Sequence, residues 1–361
     1  MAALANGLSD VASRTPKLTR IAAFTGLRVL CWNKGDLYAS RGYELFRGKV
    51  NPEDFSLAWE PVGVWRAAAV RRCTSTVRLA SRLCRDGFHT LAVSSSGHIV
   101  GAVPGRIVTK APGETEFRTT YKLLRGTRPL HITAGPNDQL VWGEYIDNPE
   151  RAEVHIYSSA DHGHHWDVAY TFPKGAIRHI HNIVYDSWDN CYWVLTGDDG
   201  LECRILRASL DFKSVDTILS GGQQTRAAAL VPTRDAIYFS TDTPLEKNHV
   251  YRLARTGNLA KVAALSSSSI YGCRVGSSVF FSTMVEPSQI NREQNVCLFG
   301  SSDGLDWQCL LQWRKDPWPL KLFQYGNAFL PDGDNDSGVL ALTTIAIKGA
   351  DLETTIWRIR D

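Results

Sequence analysis

Two histidines, His179 and His181, stand two residues apart in the run Arg178-His-Ile-His-Asn182. On a strand, residues i and i+2 point the same way, roughly 6.5–7 Å apart. Such a pair can act as base and orienter, grip a carboxylate or hold a metal. No third ligand is evident from the spacing, so neither a metal nor a cofactor is expected. The plainer alternative is that at least one ring is a structural histidine bonded to a neighbouring element. Around the pair lie the acids Glu144, Asp147, Asp198, Asp199 and Glu202. Two carboxyls across a cleft can hydrolyse a glycosidic bond, one protonating the leaving oxygen while the other attacks or activates water. Glu144 directly follows the apolar run Leu140-Val-Trp-Gly143 and precedes Tyr145, whereas Asp198-Asp199-Gly200 reads equally well as a turn. Arg151, Arg178 and Arg226 can each bind a carboxylate or sulfate bidentately, or serve as salt bridges. Tyr145, Tyr271 and Tyr325 complete the expected set of ligand contacts.

These residues must be carried by strands. Helical periodicity is nearly absent outside Trp65–Arg85, a single stretch that reads as an inserted amphipathic helix with a basic polar face (Arg66, Arg71, Arg72, Arg78, Arg82, Arg85). The remainder is short runs rich in Val, Ile, Tyr, Phe and Trp, broken by Gly, Asp, Asn and Pro. A repeat decides what they build. Val154–Phe172 is strand, then Ser159-Ala-Asp161-His-Gly163-His-His-Trp166, then strand. Ser301-Ser-Asp303-Gly304-Leu-Asp-Trp307 repeats the pattern, and a worn copy follows Ser209-Leu-Asp211. The interval is about 46–50 residues, one four-stranded blade per step. In this turn Ser and Asp bond backbone amides, Gly supplies positive φ and Trp packs beneath, so it is a folding device. The cluster His162, His164 and His165 belongs to that turn and reads as solvated loop.

The spacing predicts an all-β fold: a β-propeller of four-stranded antiparallel blades at residues 26–61, 86–124, 129–173, 177–219, 224–265, 269–313 and 323–359. Seven blades are favoured over six. The last lacks a strand, which Leu18-Thr-Arg-Ile-Ala-Ala-Phe24 can supply, closing the ring.

The motif resembles the sialidase-like, Asp-box (BNR) repeat superfamily of propellers. True sialidases carry an Arg-Ile-Pro motif that does not occur in this chain, so the resemblance is to the wider superfamily, which holds glycoside hydrolases, polysaccharide lyases and binding propellers. It implies that Asp-box turns lie on one face, and that the starts of the innermost strands and the loops between second and third strands lie on the other. Glu144, Tyr145, Arg151, His179, His181, Asp198, Asp199, Arg226, Tyr271 and Tyr325 would then converge on one mouth of the central channel.

Composition narrows the classes. With 40 Lys plus Arg against 37 Asp plus Glu, a net charge of +3 is too small to argue for nucleic acid. No apolar stretch approaches the ~20 residues needed to span a bilayer, and the first residues lack a secretory core. Eight scattered cysteines without CxxC pairs read as reduced thiols, with a cytoplasmic location expected. The expected partner is a glycan or other small polar ligand at the mouth. The expected activity is carbohydrate-active: hydrolysis through Glu144 and an acid from 198–202, ahead of a lyase using Tyr145 with His179 or His181. A non-catalytic glycan- or protein-binding propeller is the rival.

Overall fold

The computed structural model describes residues 15–51 and 53–360. They form seven four-stranded antiparallel sheets arranged as the blades of a propeller. Blade one spans residues 28–64, blade two 90–122, blade three 133–172, blade four 180–220, blade five 227–265 and blade six 269–314. Blade seven takes three strands from residues 327–360, and its fourth is Lys17–Thr25, paired antiparallel with Glu353–Arg360 from Lys17↔Arg360 to Thr25↔Glu353. The N-terminal segment therefore closes the ring as expected and leaves no open strand edge between the chain's two ends.

Burial explains why the sequence reads as it does. Second strands such as Cys191–Thr196, Ala236–Thr241 and Ser278–Thr283 are buried at every position because adjacent blades cover both faces. A strand covered on both sides is a near-continuous apolar run rather than an alternating one. Fourth strands face solvent: Val215–Ser220 has no buried residue. The core runs between blades, as where Val141 and Ile156 of blade three meet Ile183, Tyr192 and Val194 of blade four.

Each Ser-Asp-Gly-Trp turn joins the third and fourth strands of its blade. Ser159 Oγ donates to Asp161 (2.8 Å) and accepts from the Gly163 amide (2.9 Å), while Trp166 Nε1 donates to the Gly163 carbonyl (3.1 Å). The copy in blade six repeats these bonds through Ser301, Asp303, Gly304 and Trp307. Gly304 has φ of 72°, and a Cβ there would stand 1.9 Å from the Tyr238 hydroxyl, so both conformation and space exclude a side chain. In the worn copy Phe212 occupies the positive-φ position at 56° and stacks on Tyr192.

The insertion departs from the expected single helix. It is two short helices, Ala69–Thr76 and Arg78–Cys84, separated at Val77, whose backbone is extended. The run Thr74-Ser-Thr-Val77 concentrates β-branched residues that lose rotamer freedom in a helix, which breaks it there. Its basic face is not simply solvated. Arg82 is 1% exposed and bonds Asp316 (2.6 Å) and the Phe323 carbonyl, while Arg78 pairs with Asp351 (2.8 Å). A third short helix, Leu320–Phe323, packs beside it. Among the described residues no helix is long and apolar enough to cross a membrane.

Candidate functional site at the channel mouth

The inner strands of blades one, four, five and six begin with the same irregularity: one residue is skipped in the pairing, between Val29 and Cys31, Ile180 and Asn182, Ala227 and Ala229, and Ser269 and Tyr271. In blade four the skipped residue is His181. A bulge re-aims a side chain that the regular pleat would bury against a neighbour. Here it brings His181 Nε2 to 2.9 Å from His179 Nε2, much closer than an ordinary strand allows. The rings are fixed from behind. His179 Nδ1 lies 3.0 Å from the Ile146 carbonyl of blade three, and His181 Nδ1 lies 3.0 Å from the Ala227 carbonyl of blade five. Both histidines are thus structural ties between blades and members of the cluster.

Asp198 reaches the same point from the loop after the second strand. Its oxygens lie 3.2 Å from His181 Nε2 and 3.4 Å from His179 Nε2. Gly197, at φ of 79°, makes the turn possible, since a Cβ there would meet the Glu202 carbonyl oxygen at 2.0 Å. Arg226, preceding the first strand of blade five, stands 3.2 Å from Asp198 and 3.7 Å from Asp242 through one nitrogen, and Arg178 stands 3.6 Å from Asp198. Burial would raise the Asp198 carboxyl, but the two imidazoles beside it outweigh that and hold the group well below the usual carboxylate range. The opposite holds for its neighbours. Burial raises Asp242, and burial together with the Asp242 charge raises Glu286, which accepts a 2.8 Å bond from Ser268. The Tyr145 ring lies 4.5 Å from His179 and 6.3 Å from His181, remains 38% exposed, and is raised by burial.

The other half of the mouth is basic. Arg28 donates to the carbonyls of Phe88 and His89 (3.3 and 3.1 Å) and lies over the Phe329 ring. Burial pulls its guanidinium down to about 10. Arg85 and Arg128 are likewise lowered, first by burial and then by neighbouring arginines. Among the described residues none of these three has a carboxylate within ion-pair distance. His89 is buried beside them with Nε2 unbonded, and burial lowers it well below the usual histidine value.

The remaining sequence candidates separate. Glu144 is 3% exposed and committed to structure: Arg125 binds both its oxygens and the His155 amide donates to one (2.8 Å). Arg151 pairs with Glu202 (2.6 Å) and Asp199 (3.2 Å) in an outer loop, so neither Arg151 nor Asp199 joins the histidine cluster. Asp147 binds Arg178 at the rim (2.7 Å). Tyr271 packs on Phe329 with ring centres 4.0 Å apart and lines a cavity of about 180 Å³ in the channel beyond the cluster. Tyr325 is 40% exposed and feels Glu286 and Arg85. Arg28, Arg85, Arg128, Asp242 and Glu286 were not among the expected site residues. A positional signal exists for two of them: Asp242 and Glu286 follow second strands, as Asp198 does.

On the opposite face His162 stacks on His98 with ring centres 3.9 Å apart, and His165 is bound to Asp161. His162 and His165 lie in the Ser-Asp-Gly-Trp turn of blade three and His98 in a turn of blade two, away from the mouth.

No family model and no curated relative matches the chain. Solved structures match it at the level of fold. A chain of the mitotic checkpoint complex aligns with TM-score 0.58 at 12% identity, over 100% of both chains. The WD40 β-propeller domain of Doa1 aligns with TM-score 0.56 at 9% identity, over 95% of this chain and 96% of that one. The extracellular domain of a one-component system of B. thetaiotaomicron aligns with TM-score 0.54 at 12% identity, over 96% of this chain and 42% of that one. The protein is a seven-bladed β-propeller.

Proposed function

We propose that the protein is a carbohydrate-active enzyme of the Asp-box propeller type, hydrolysing an acidic, hydroxyl-rich glycan at the channel mouth. The observation that carries this reading is the division of charge: Arg28, Arg85 and Arg128 without carboxylate partners on one side, Asp198, Asp242 and Glu286 on the other. A ligand with one carboxylate and many hydroxyls satisfies both halves. Guanidiniums take the carboxylate, and the acids take hydroxyls and the glycosidic oxygen. Because one Arg226 nitrogen touches both Asp198 (3.2 Å) and Asp242 (3.7 Å), the oxygens it touches stand no more than about 7 Å apart, close enough for both carboxyls to reach one bond. Asp242 and Glu286, held toward the acid form, are the proton donors, and Tyr145 with Tyr325 flanks the sugar. Elimination is the weaker reading, because burial raises Tyr145 and disfavours the phenolate a lyase base needs. The two Ser-Asp-Gly-Trp turns support the Asp-box assignment, and eight free thiols support a reducing, cytoplasmic setting.

A binding-only role has one observation in its favour: Asp242 is only 8% exposed, so a substrate must displace neighbours to reach it. The deciding experiment incubates the purified protein with neutral and uronate-bearing oligosaccharides. It follows new reducing ends and the absorbance of unsaturated uronates. Reducing ends without absorbance, retained in Glu144→Gln and lost in Glu286→Gln, are expected. Binding without turnover would move the assignment to recognition, and indifference to every acidic glycan would overturn the reading.

A further inference from the structure

The two imidazoles pose a proton-counting problem. A carbonyl oxygen only accepts, so His179 Nδ1 facing Ile146 and His181 Nδ1 facing Ala227 must each carry hydrogen. In the neutral rings both Nε2 atoms then bear lone pairs, and these face each other at 2.9 Å. Asp198 adds two more acceptor atoms at 3.2 and 3.4 Å. Three Lewis bases, drawn from the start of one inner strand, the residue before it and one loop, therefore converge with no hydrogen among them. A single proton, shared by one pair, leaves the third group facing another lone pair. A cation satisfies all three.

We propose that His179, His181 and Asp198 bind one divalent first-row transition metal. All their ligand atoms lie within 4.8 Å of one another. With metal–nitrogen bonds of about 2.1 Å, nitrogens 2.9 Å apart subtend roughly 90°. That angle fits two adjacent positions of an octahedron, whereas a tetrahedral ion needs a spacing nearer ~3.4 Å. Two histidines and one carboxylate at right angles leave coordination positions open, suiting Fe²⁺, Mn²⁺, Co²⁺ or Ni²⁺ better than a closed structural Zn²⁺ site. The carbonyl behind each ring is the outer support that metal-binding histidines generally have, fixing tautomer and ring orientation before the ion arrives. Arg226 also touches Asp198 (3.2 Å), on the same oxygen that faces His181, and so helps fix the carboxylate in place.

The site shares the mouth with the proposed hydrolase but does not need a glycan, so metal binding is measured without substrate. Protein stripped with chelator is titrated calorimetrically with Mn²⁺, Co²⁺, Ni²⁺ and Zn²⁺, and Co²⁺ and Cu²⁺ loading are followed by visible absorption and electron paramagnetic resonance. One equivalent should bind, and the copper spectrum should show two imidazole nitrogens, a readout that needs no variant. His181→Gln and Asp198→Asn should each weaken binding at least tenfold, while His98→Gln on the opposite face should change nothing. Absence of stoichiometric binding by any of these ions overturns the proposal, as does binding that survives in His181→Gln or moves with His98. Metal binding without glycan turnover would leave the site standing and remove only the hydrolase reading.

Discussion

Arg128 is the residue at which recognition and stability should separate most cleanly. Its guanidinium sits at the mouth with no hydrogen bond or ion pair among the described residues, lowered by burial and by Arg85. A desolvated cation without a partner stabilises nothing in the free protein. Arg128→Met keeps most of the stem's packing and removes the charge. Stability by urea denaturation should therefore stay within about 0.5 kcal/mol of the parent or rise. An anionic ligand loses one charged hydrogen-bonding partner, worth about 1.5–3 kcal/mol, so affinity for a uronate oligosaccharide should fall about 10- to 100-fold. Affinity for the matching neutral oligosaccharide should not change. The two assays are calorimetric titration and equilibrium unfolding on the same preparations. A variant that is destabilised by more than 1 kcal/mol while binding uronate normally would show that Arg128 is structural. The argument from unpartnered charge would then be refuted.

Three further outcomes follow from the geometry. Arg82→Met strips the buried Asp316 of one of its cations and leaves the Phe323 carbonyl without its donor, so urea unfolding should show a loss of about 3 kcal/mol; the neighbouring Lys315, 2.8 Å from Asp316, moderates it. Glu286 is raised in the folded state by burial and by Asp242, so its contribution to stability is complete below the unfolded-state value of a glutamate and is lost as pH rises through the folded-state value. Glu286→Gln should abolish that part of the decline, narrowing the gap to the parent or reversing it as pH rises; parallel stability profiles across the acid range would contradict the shift. Glu144→Gln breaks a buried pair with Arg125 and should lower stability by about 3 kcal/mol, and any activity that disappears only through unfolding would return under stabilising conditions.

How far the site was legible depends on the element that carries each residue. The pair His179 and His181 stood out because both donors lie within three residues, and the inner strand of blade four does present both at the mouth. Asp198 was readable as a candidate but not as their partner, because the turn at Gly197 that delivers it is a backbone event. At Glu144 the structure adds what the run from Leu140 to Tyr145 does not carry. A carboxylate at a strand end looks exposed until Arg125, nineteen residues earlier, closes over it. Arg28 and Arg128 carried no local signal, since what distinguishes them is the lack of a carboxylate in space. The basic insertion was read as one helix, and the run Thr74–Val77 that breaks it was available but outweighed by periodicity on either side.

Within the chain alone, the apolar runs and the Ser-Asp-Gly-Trp turn at a near-constant interval determined a propeller of seven blades, with an N-terminal strand for closure. Those features are local: strand patterning and turn chemistry act over a few residues and repeat. The tertiary structure alone decided which polar groups share the mouth, which are spent on inter-blade ties, and which arginines lack a counter-ion. Those outcomes depend on bulges that shift one residue out of register and on partners brought together across blade boundaries. Distances across a ring are fixed by how seven sheets pack, and no spacing along the chain records them.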